Sequence, residues 1–258
     1  MKTTSSPALT LGAWSRHDPI QRALNRVQPE SVLEFGVGRG AMSARIACGR
    51  HFIGVEPDEV SRFEAQAIVG DGGKIVGSTE EIDGADPVDL VCAFEVLEHI
   101  EHEQQILTEW AAYLEPNGYL LLSVPAFAHR LGAWDRLVGH YRRYDPEVLS
   151  ALLNEAGFKV VSLEITGFPL GLVLEQARNV VAWTRQRSES RQTVEAELDM
   201  AARTAKSARM IPIRRAGVAT RFVSAPFRLA QQKVQSRGTG MVVLARRDDT
   251  SGDVVDNK

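Results

Sequence analysis

Glu95, Glu98 and His99 stand together as E-x-x-E-H. Side chains three and four positions apart share one face of a helical turn, so Glu98 and His99 can each converge with Glu95. Two carboxylates and an imidazole make a good site for a divalent cation. Without a cation, His99 serves as a general base or a pocket-liner, and Glu98 is structural. A second group carries different chemistry. Glu34 precedes Gly36, Gly38 and Gly40 in VLEFGVGRG, and Glu56 follows in FIGVE. Glycines there let a nucleoside approach the backbone, where the next helix offers unpaired N–H groups. A carboxylate at the end of the following strand accepts ribose hydroxyls. Gly36, Gly38 and Ala41 also satisfy the dinucleotide spacing G-x-G-x-x-G/A, so the glycines alone leave the nucleoside cofactor open.

These residues need a sheet to hold them. Apolar and β-prone runs predict strands at 32–35, 51–56, 74–76, 88–94, 119–124 and 159–165. Between them, helical spacing predicts crossover helices at 41–47 and 58–67, one through Ile106, Leu107, Trp110 and Leu114, and one capped by Asp145 with Pro146 at its first position. A further helix at 19–27 precedes the first strand. Strand and helix alternating at this spacing predict a parallel sheet covered on both faces. VDLVCAF at 88–94 is nearly continuous in apolar residues, as a doubly covered strand requires, and Glu95 marks its carboxyl end.

With the elements in place, residues 14–166 resemble the class I S-adenosylmethionine-dependent methyltransferases. LEFGVGRG looks like their first motif, GVEPD like their second-strand acid motif and LEPNGYLLLSVP like their fifth-strand motif. The resemblance implies a Rossmann-like α/β sheet of seven strands, six parallel and the last antiparallel, with GTGMVVLARR at 238–247 as that last strand. It implies that Glu34 faces the methionine amino group, that Gly36, Gly38 and Gly40 admit the cofactor, and that Glu56 takes both ribose hydroxyls. Ser78 and Thr79 would flank the adenine, Phe94 would lie near the methionine, and Trp14 would close over the cofactor. In two branches, the ubiquinone-biosynthesis O-methyltransferases and the small-RNA 2′-O-methyltransferases, a similar E-x-x-E-H supplies metal ligands with a further histidine downstream. His140, in GHYRRYDPEVL, stands in the matching place. The implied set for Mg or Mn is then Glu95, Glu98, His99 and His140, with Glu98, His99 and His140 closest to catalysis; the YRRY run at 141–144 departs from both branches. The expected activity is methyl transfer to a small or lipid-linked acceptor, at oxygen before nitrogen. An NAD-dependent oxidoreductase and a SAM-binding protein without turnover are the alternatives.

The bulk numbers narrow the class. The chain has 258 residues, 44% of them hydrophobic, enough for one sizeable core, and its net charge of −3 does not suggest a nucleic-acid partner. Cys48 and Cys92 fall in apolar patterns and read as small buried residues in a reducing, cytoplasmic setting. The N-terminus carries no signal-peptide pattern, and no uncharged apolar stretch reaches membrane-spanning length. Residues 1–12 are expected to be mobile, 13–166 to form the core, 167–237 a basic helical insertion or lid, and 248–258 a disordered tail. From Arg178 to Arg237 there are thirteen Arg or Lys against four acids, a net charge of +9. Val218, Phe222, Ala225 and Leu229 recur there at helical spacing. That insertion reads as a cap with a solvated basic face, a lid or homodimer surface, or a peripheral contact with an anionic membrane. Arg142 and Arg143 either recognise an acidic acceptor or pair with Asp135.

Overall fold

The structure, a computed structural model, describes residues 8–82, 84–189, 217–234 and 236–248. Its frame is one seven-stranded sheet: β1 (Ser31–Phe35), β2 (His51–Val55), β3 (Lys74–Val76), β4 (Val88–Phe94), β5 (Leu114–Pro125), β6 (Phe158–Thr166) and β7 (Gly240–Arg247), in the order β3-β2-β1-β4-β5-β7-β6. β7 alone runs antiparallel, inserted between β5 and β6. The strand order reverses between β1 and β4, which opens a crevice at their carboxyl ends.

Strand alternation explains why both faces are covered. Val32, Leu90, Cys92 and Leu121 point to one face, where they meet Ile20 and Leu24 of α1 (Leu11–Val27), Ile46 of α2 (Ser43–Ile46) and Ala65 of α3 (Glu59–Val69). Leu33, Val91, Ala93, Leu120 and Leu122 point to the other. There they meet Leu107 and Trp110 of α4 (Glu103–Ala112) and Leu149 and Leu153 of α6 (Pro146–Glu155). Between them lies α5 (Ala133–Val138), and the insertion contributes α7 (Leu170–Glu189) and α8 (Gly217–Lys233). Asp89 ties the amino ends of β4 and β1 together, at the opposite end of the strands from the crevice: one carboxylate oxygen accepts from the N–H groups of Glu30 and Ser31 and from the Ser31 hydroxyl, at 2.8–2.9 Å.

Several sequence expectations change. α1 begins at Leu11, not near Pro19, because Thr10 caps it by accepting from the Ala13 N–H and because Trp14 is buried against α8. Tertiary packing thus overrides the proline and Gly12. Residues 1–7 of the segment expected to be mobile, and 249–258 of the expected tail, lie outside the described residues; Asp248 pairs with Lys159. Cys92 is buried, but Cys48 is exposed, since α2 ends two residues before it. The apolar spacing of α8 does not mark its buried face: Phe222 and Leu229 are exposed, whereas Thr220 and Ser224 are buried. Residues 190–216 of the insertion lie outside the described residues, and among those described no helix is long and apolar enough to cross a membrane.

Candidate active site

The glycine turn after β1 faces the crevice. Gly36, Gly38 and Gly40 all adopt positive φ, at 71°, 57° and 79°. A Cβ at Gly36 would stand 2.4 Å from Val96 Cγ2, whereas one at Gly38 would meet nothing within 4 Å, so Gly38 is the open edge of the cradle. Gly40 serves packing instead: a Cβ there would lie 2.8 Å from the Ala65 backbone of α3. Glu56, at the end of β2, holds the loop from below by accepting from the Gly38 N–H at 2.7 Å and the Asp58 N–H at 3.1 Å. Burial pushes its carboxyl up, against those two hydrogen bonds. Glu34 is fully buried beneath the turn, with Ser43 beside it and one carboxylate oxygen unpartnered; burial raises its pKa to about 8.

Gly36, Gly38, Glu56 and Phe94 line a cavity of about 660 Å³, closed elsewhere by Pro57, Ile100 and Gln105. Neither Ser78 nor Thr79 lines it. Thr79 opens a one-turn helix and borders a separate hollow with Phe35 and Trp110. Trp14 is also absent from the cavity wall: its indole N–H donates to Thr220 Oγ1 at 3.1 Å, tying α1 to α8.

Glu95 and His99 line both this cavity and a second one of about 360 Å³, bounded by the first turn of α1, by α5 and by α7. The E-x-x-E-H run is not one helical turn. Glu95 takes φ 58°, and only Leu97–His99 closes a short 3₁₀ turn, so Glu95 stays near Glu98 and His99 but does not share a helical face with them or join their cluster. Its carboxylate accepts from Ser123 Oγ and pairs with Arg16 at 3.1 Å. The residues that converge are Glu98, His99 and His140, whose ligand atoms all lie within 4.8 Å of one another. His140 arrives because the Tyr141 N–H donates to the Glu98 carbonyl at 2.9 Å. Its Nδ1 bonds Asp135 at 2.8 Å, which turns Nε2 toward Glu98, 3.8 Å away. Asp135 is itself held by Arg143, which also reaches Glu175 of α7. Burial opposes ionisation of Asp135, but the bonds from His140 and Arg143 outweigh it and keep its pKa at about 2.

Two atoms of Glu98 and one of His99 stand out. Both Glu98 carboxylate oxygens and His99 Nδ1 are buried without a hydrogen-bond partner among the described residues. Burial, followed by the nearby Glu95, pushes the Glu98 carboxyl well up, and burial together with His140 draws His99 down to about 4. Orphaned acceptors of this kind cost free energy unless something else satisfies them. Of the two arginines singled out by sequence, Arg143 is consumed by Asp135 and Glu175, and Arg142 pairs with Glu103. Arg16 and Arg178, which do reach the second cavity, carry no local signal: one sits in a plain amphipathic helix, the other in the general basic excess.

A sheet of this order, with a glycine turn after β1 and an acid at the end of β2, defines a class I methyltransferase fold. A family model described as a methyltransferase domain matches residues 13–163, more than half of the chain, and the chain belongs to that family. A relative from Mycolicibacterium smegmatis, described as a probable S-adenosylmethionine-dependent methyltransferase, is 31% identical over 152 residues, covering 57% of this chain and 59% of that protein. A ubiquinone biosynthesis O-methyltransferase of Bradyrhizobium diazoefficiens is 32% identical over 108 residues, 40% of this chain and 42% of the relative. The chain thus matches less than two thirds of these relatives' length. The crystal structure of the N-methyltransferase NodS from Bradyrhizobium japonicum, in complex with S-adenosylhomocysteine, shares the fold with a TM-score of 0.53 at 13% identity, covering 91% of this chain and 86% of that one.

Proposed function

We propose that this protein transfers the methyl group of S-adenosylmethionine to an oxygen of a small or lipid-linked acceptor in the second cavity, with a divalent cation at Glu98, His99 and His140. The observation that carries the reading is the convergence of these three, with both Glu98 oxygens and His99 Nδ1 unpartnered among the described residues: His99 lines both cavities, His140 lines the second, and Glu98 is buried behind them. The set suits Mg or Mn, and Asp135 on His140 Nδ1 is the kind of outer contact that orients a metal-binding imidazole. The cofactor fits the first cavity: Gly38 leaves room for it and Glu56 suits its ribose, while Glu34, buried beneath the turn and not itself on the cavity wall, has an unpartnered oxygen that suits its ammonium directly or through a water. Val180, Trp183, Phe222 and Leu229, exposed on the insertion helices, favour a lipid-linked acceptor.

In the transfer, an acceptor oxygen attacks the methyl carbon as the carbon–sulfur bond breaks, leaving S-adenosylhomocysteine. The protein's main contribution is alignment and exclusion of water. A bound cation supplies a Lewis acid that lowers the acceptor hydroxyl's pKa. A second reading rests on His99 alone: it is a neutral imidazole at pH 7, with Nδ1 unpartnered among the described residues, and it accepts the acceptor proton once the bound substrate offsets the burial that makes it a weak base in the free protein. Titrating Mn²⁺ or Mg²⁺ calorimetrically into protein saturated with S-adenosylhomocysteine separates the two. The first reading expects binding near one equivalent, lost in Glu98→Ala and His140→Ala. No binding to the wild type leaves His99 as base and puts nitrogen acceptors on equal terms; stabilisation by NAD but not by S-adenosylhomocysteine retires methyl transfer altogether.

Glu34 makes cofactor binding depend on pH. The folded, unliganded protein keeps its proton up to about pH 8, whereas the unfolded chain loses it near the ordinary glutamate value. Stability of the free protein therefore falls as pH rises from about 4.5 to 8 on this group's account. A ligand ammonium needs the ionised form, so binding expels the proton. Affinity for S-adenosylhomocysteine is expected to rise close to tenfold from pH 6 to 7, about 1.4 kcal/mol, and by a smaller factor from pH 7 to 8 as the pH meets the pKa of the free protein. The slope should flatten in Glu34→Gln; a wild-type Kd independent of pH would refute this role.

A further inference from the structure

One cation on the wall of the second cavity has no carboxylate of its own, because two carboxylates there share a single arginine. Among the described residues, three arginines (Arg16, Arg143 and Arg178) and three carboxylates (Glu95, Asp135 and Glu175) line it. Arg16 pairs with Glu95, Arg143 with Asp135 and Glu175, and Arg130 with Glu175. The third arginine of the wall, Arg178 of α7, has no carboxylate within ion-pair distance among the described residues. It is not a free surface side chain: its guanidinium lies over the Trp134 ring, 5.8 Å from the centroid, and a Cβ on Gly12 would stand 3.5 Å from its Nη2. The guanidinium therefore sits between α5 and the first turn of α1, on the cavity wall beside Arg16. That first turn contains no acidic residue, so the positive end of a 17-residue helix faces the same space. Arg16 adds a buried Nε with no hydrogen-bond partner among the described residues.

We infer that Arg178, with Arg16 and the first turn of α1, forms an anion subsite, and that the methyl acceptor carries a carboxylate or phosphate which this subsite receives. The inference rests on the second cavity being the acceptor site. A planar guanidinium grips either anion by paired N–H donors, and the Trp134 ring 5.8 Å away gives it a cation–π neighbour before the ligand arrives. With the anion at this wall, the rest of the acceptor extends toward Glu95 and His99, the two residues shared with the cofactor cavity. Arg178 is thus a specificity residue rather than a catalytic one. Of the arginines that sequence suggests for this role, Arg142 pairs with Glu103, and Arg143, although on the same cavity wall, is committed to Asp135 and Glu175.

The test uses the full chain at fixed ionic strength, with and without saturating S-adenosylhomocysteine, titrated with inorganic phosphate and with acetate. The subsite predicts saturable binding of one anion per chain, weakened about tenfold or more in Arg178→Gln and partly restored in Arg178→Lys, since loss of one charge-assisted pair has roughly that effect. Binding of phosphate alone assigns a phosphorylated acceptor, and binding of acetate alone a carboxylate. Absent anion binding, or equal binding in wild type and Arg178→Gln, overturns the subsite. S-adenosylhomocysteine is titrated into the same samples. Its failure to bind the wild type would count against the cofactor reading, whereas unchanged cofactor binding with no anion effect would remove only the subsite.

Discussion

Replacing Arg143 by methionine lowers the free energy of unfolding by about 3–5 kcal/mol, the usual cost of removing one partner from a buried ion pair. Arg143 is 5% exposed in its side chain, and it contacts Asp135 through two nitrogens and Glu175 through a third. Methionine fills most of the volume, so a cavity does not account for the loss. What remains is two carboxylates that have lost their shared cation; Glu175 keeps Arg130, and Asp135 keeps only His140 and the Gly132 N–H. The pair also ties α5 to α7, so the wall of the second cavity should loosen while the glycine turn, on the far side of β4, does not. Urea unfolding gives the stability, and adding Asp135→Asn to the variant gives the decisive comparison. Removing the stranded charge should recover a good part of the loss. If Arg143→Met costs under about 1 kcal/mol, the network is solvated and the argument fails.

Much of the site is legible in the residue pattern alone, and the legible part has a common physical cause. β1, β2, β3 and β4 fall where continuous apolar runs place them, because a doubly covered parallel strand allows little else. The glycine turn and Glu56 are local in sequence and end up together because β1 and β2 are neighbours. Glu98, His99 and His140 are suggested by resemblance, and they converge through a single backbone hydrogen bond from Tyr141 to Glu98. Glu95 departs from the helical turn that its spacing suggests, because its positive φ breaks that turn. Thr10 to Trp14 hide the true start of α1, since what stabilises that turn is α8, more than two hundred residues away. Arg178 is lost in a charge count for the same reason: a cation's partners, or lack of them, are set by the tertiary contacts of α1, α5 and α7.

Glu56→Ala should raise the Kd for S-adenosylhomocysteine about 100- to 1000-fold, roughly 3–4 kcal/mol, by removing two charge-assisted hydrogen bonds to the ribose. The carboxylate has a second role that makes the loss larger than a surface contact would suggest. One oxygen already accepts from the Gly38 N–H and the other from the Asp58 N–H. These bonds fix the glycine turn at the height that leaves Gly38 facing open space, and each oxygen retains a lone pair for the ligand. Alanine removes both functions. Glutamine keeps only one acceptor oxygen, so Glu56→Gln should fall between, near a tenfold loss. Neither change alters a residue of the Glu98, His99 and His140 cluster, so the cation binding proposed there should not be lost with the cofactor's. An alanine variant that binds S-adenosylhomocysteine within about threefold of the wild type would mean that the ribose is held elsewhere, and the assignment of this cavity to the cofactor would have to be abandoned.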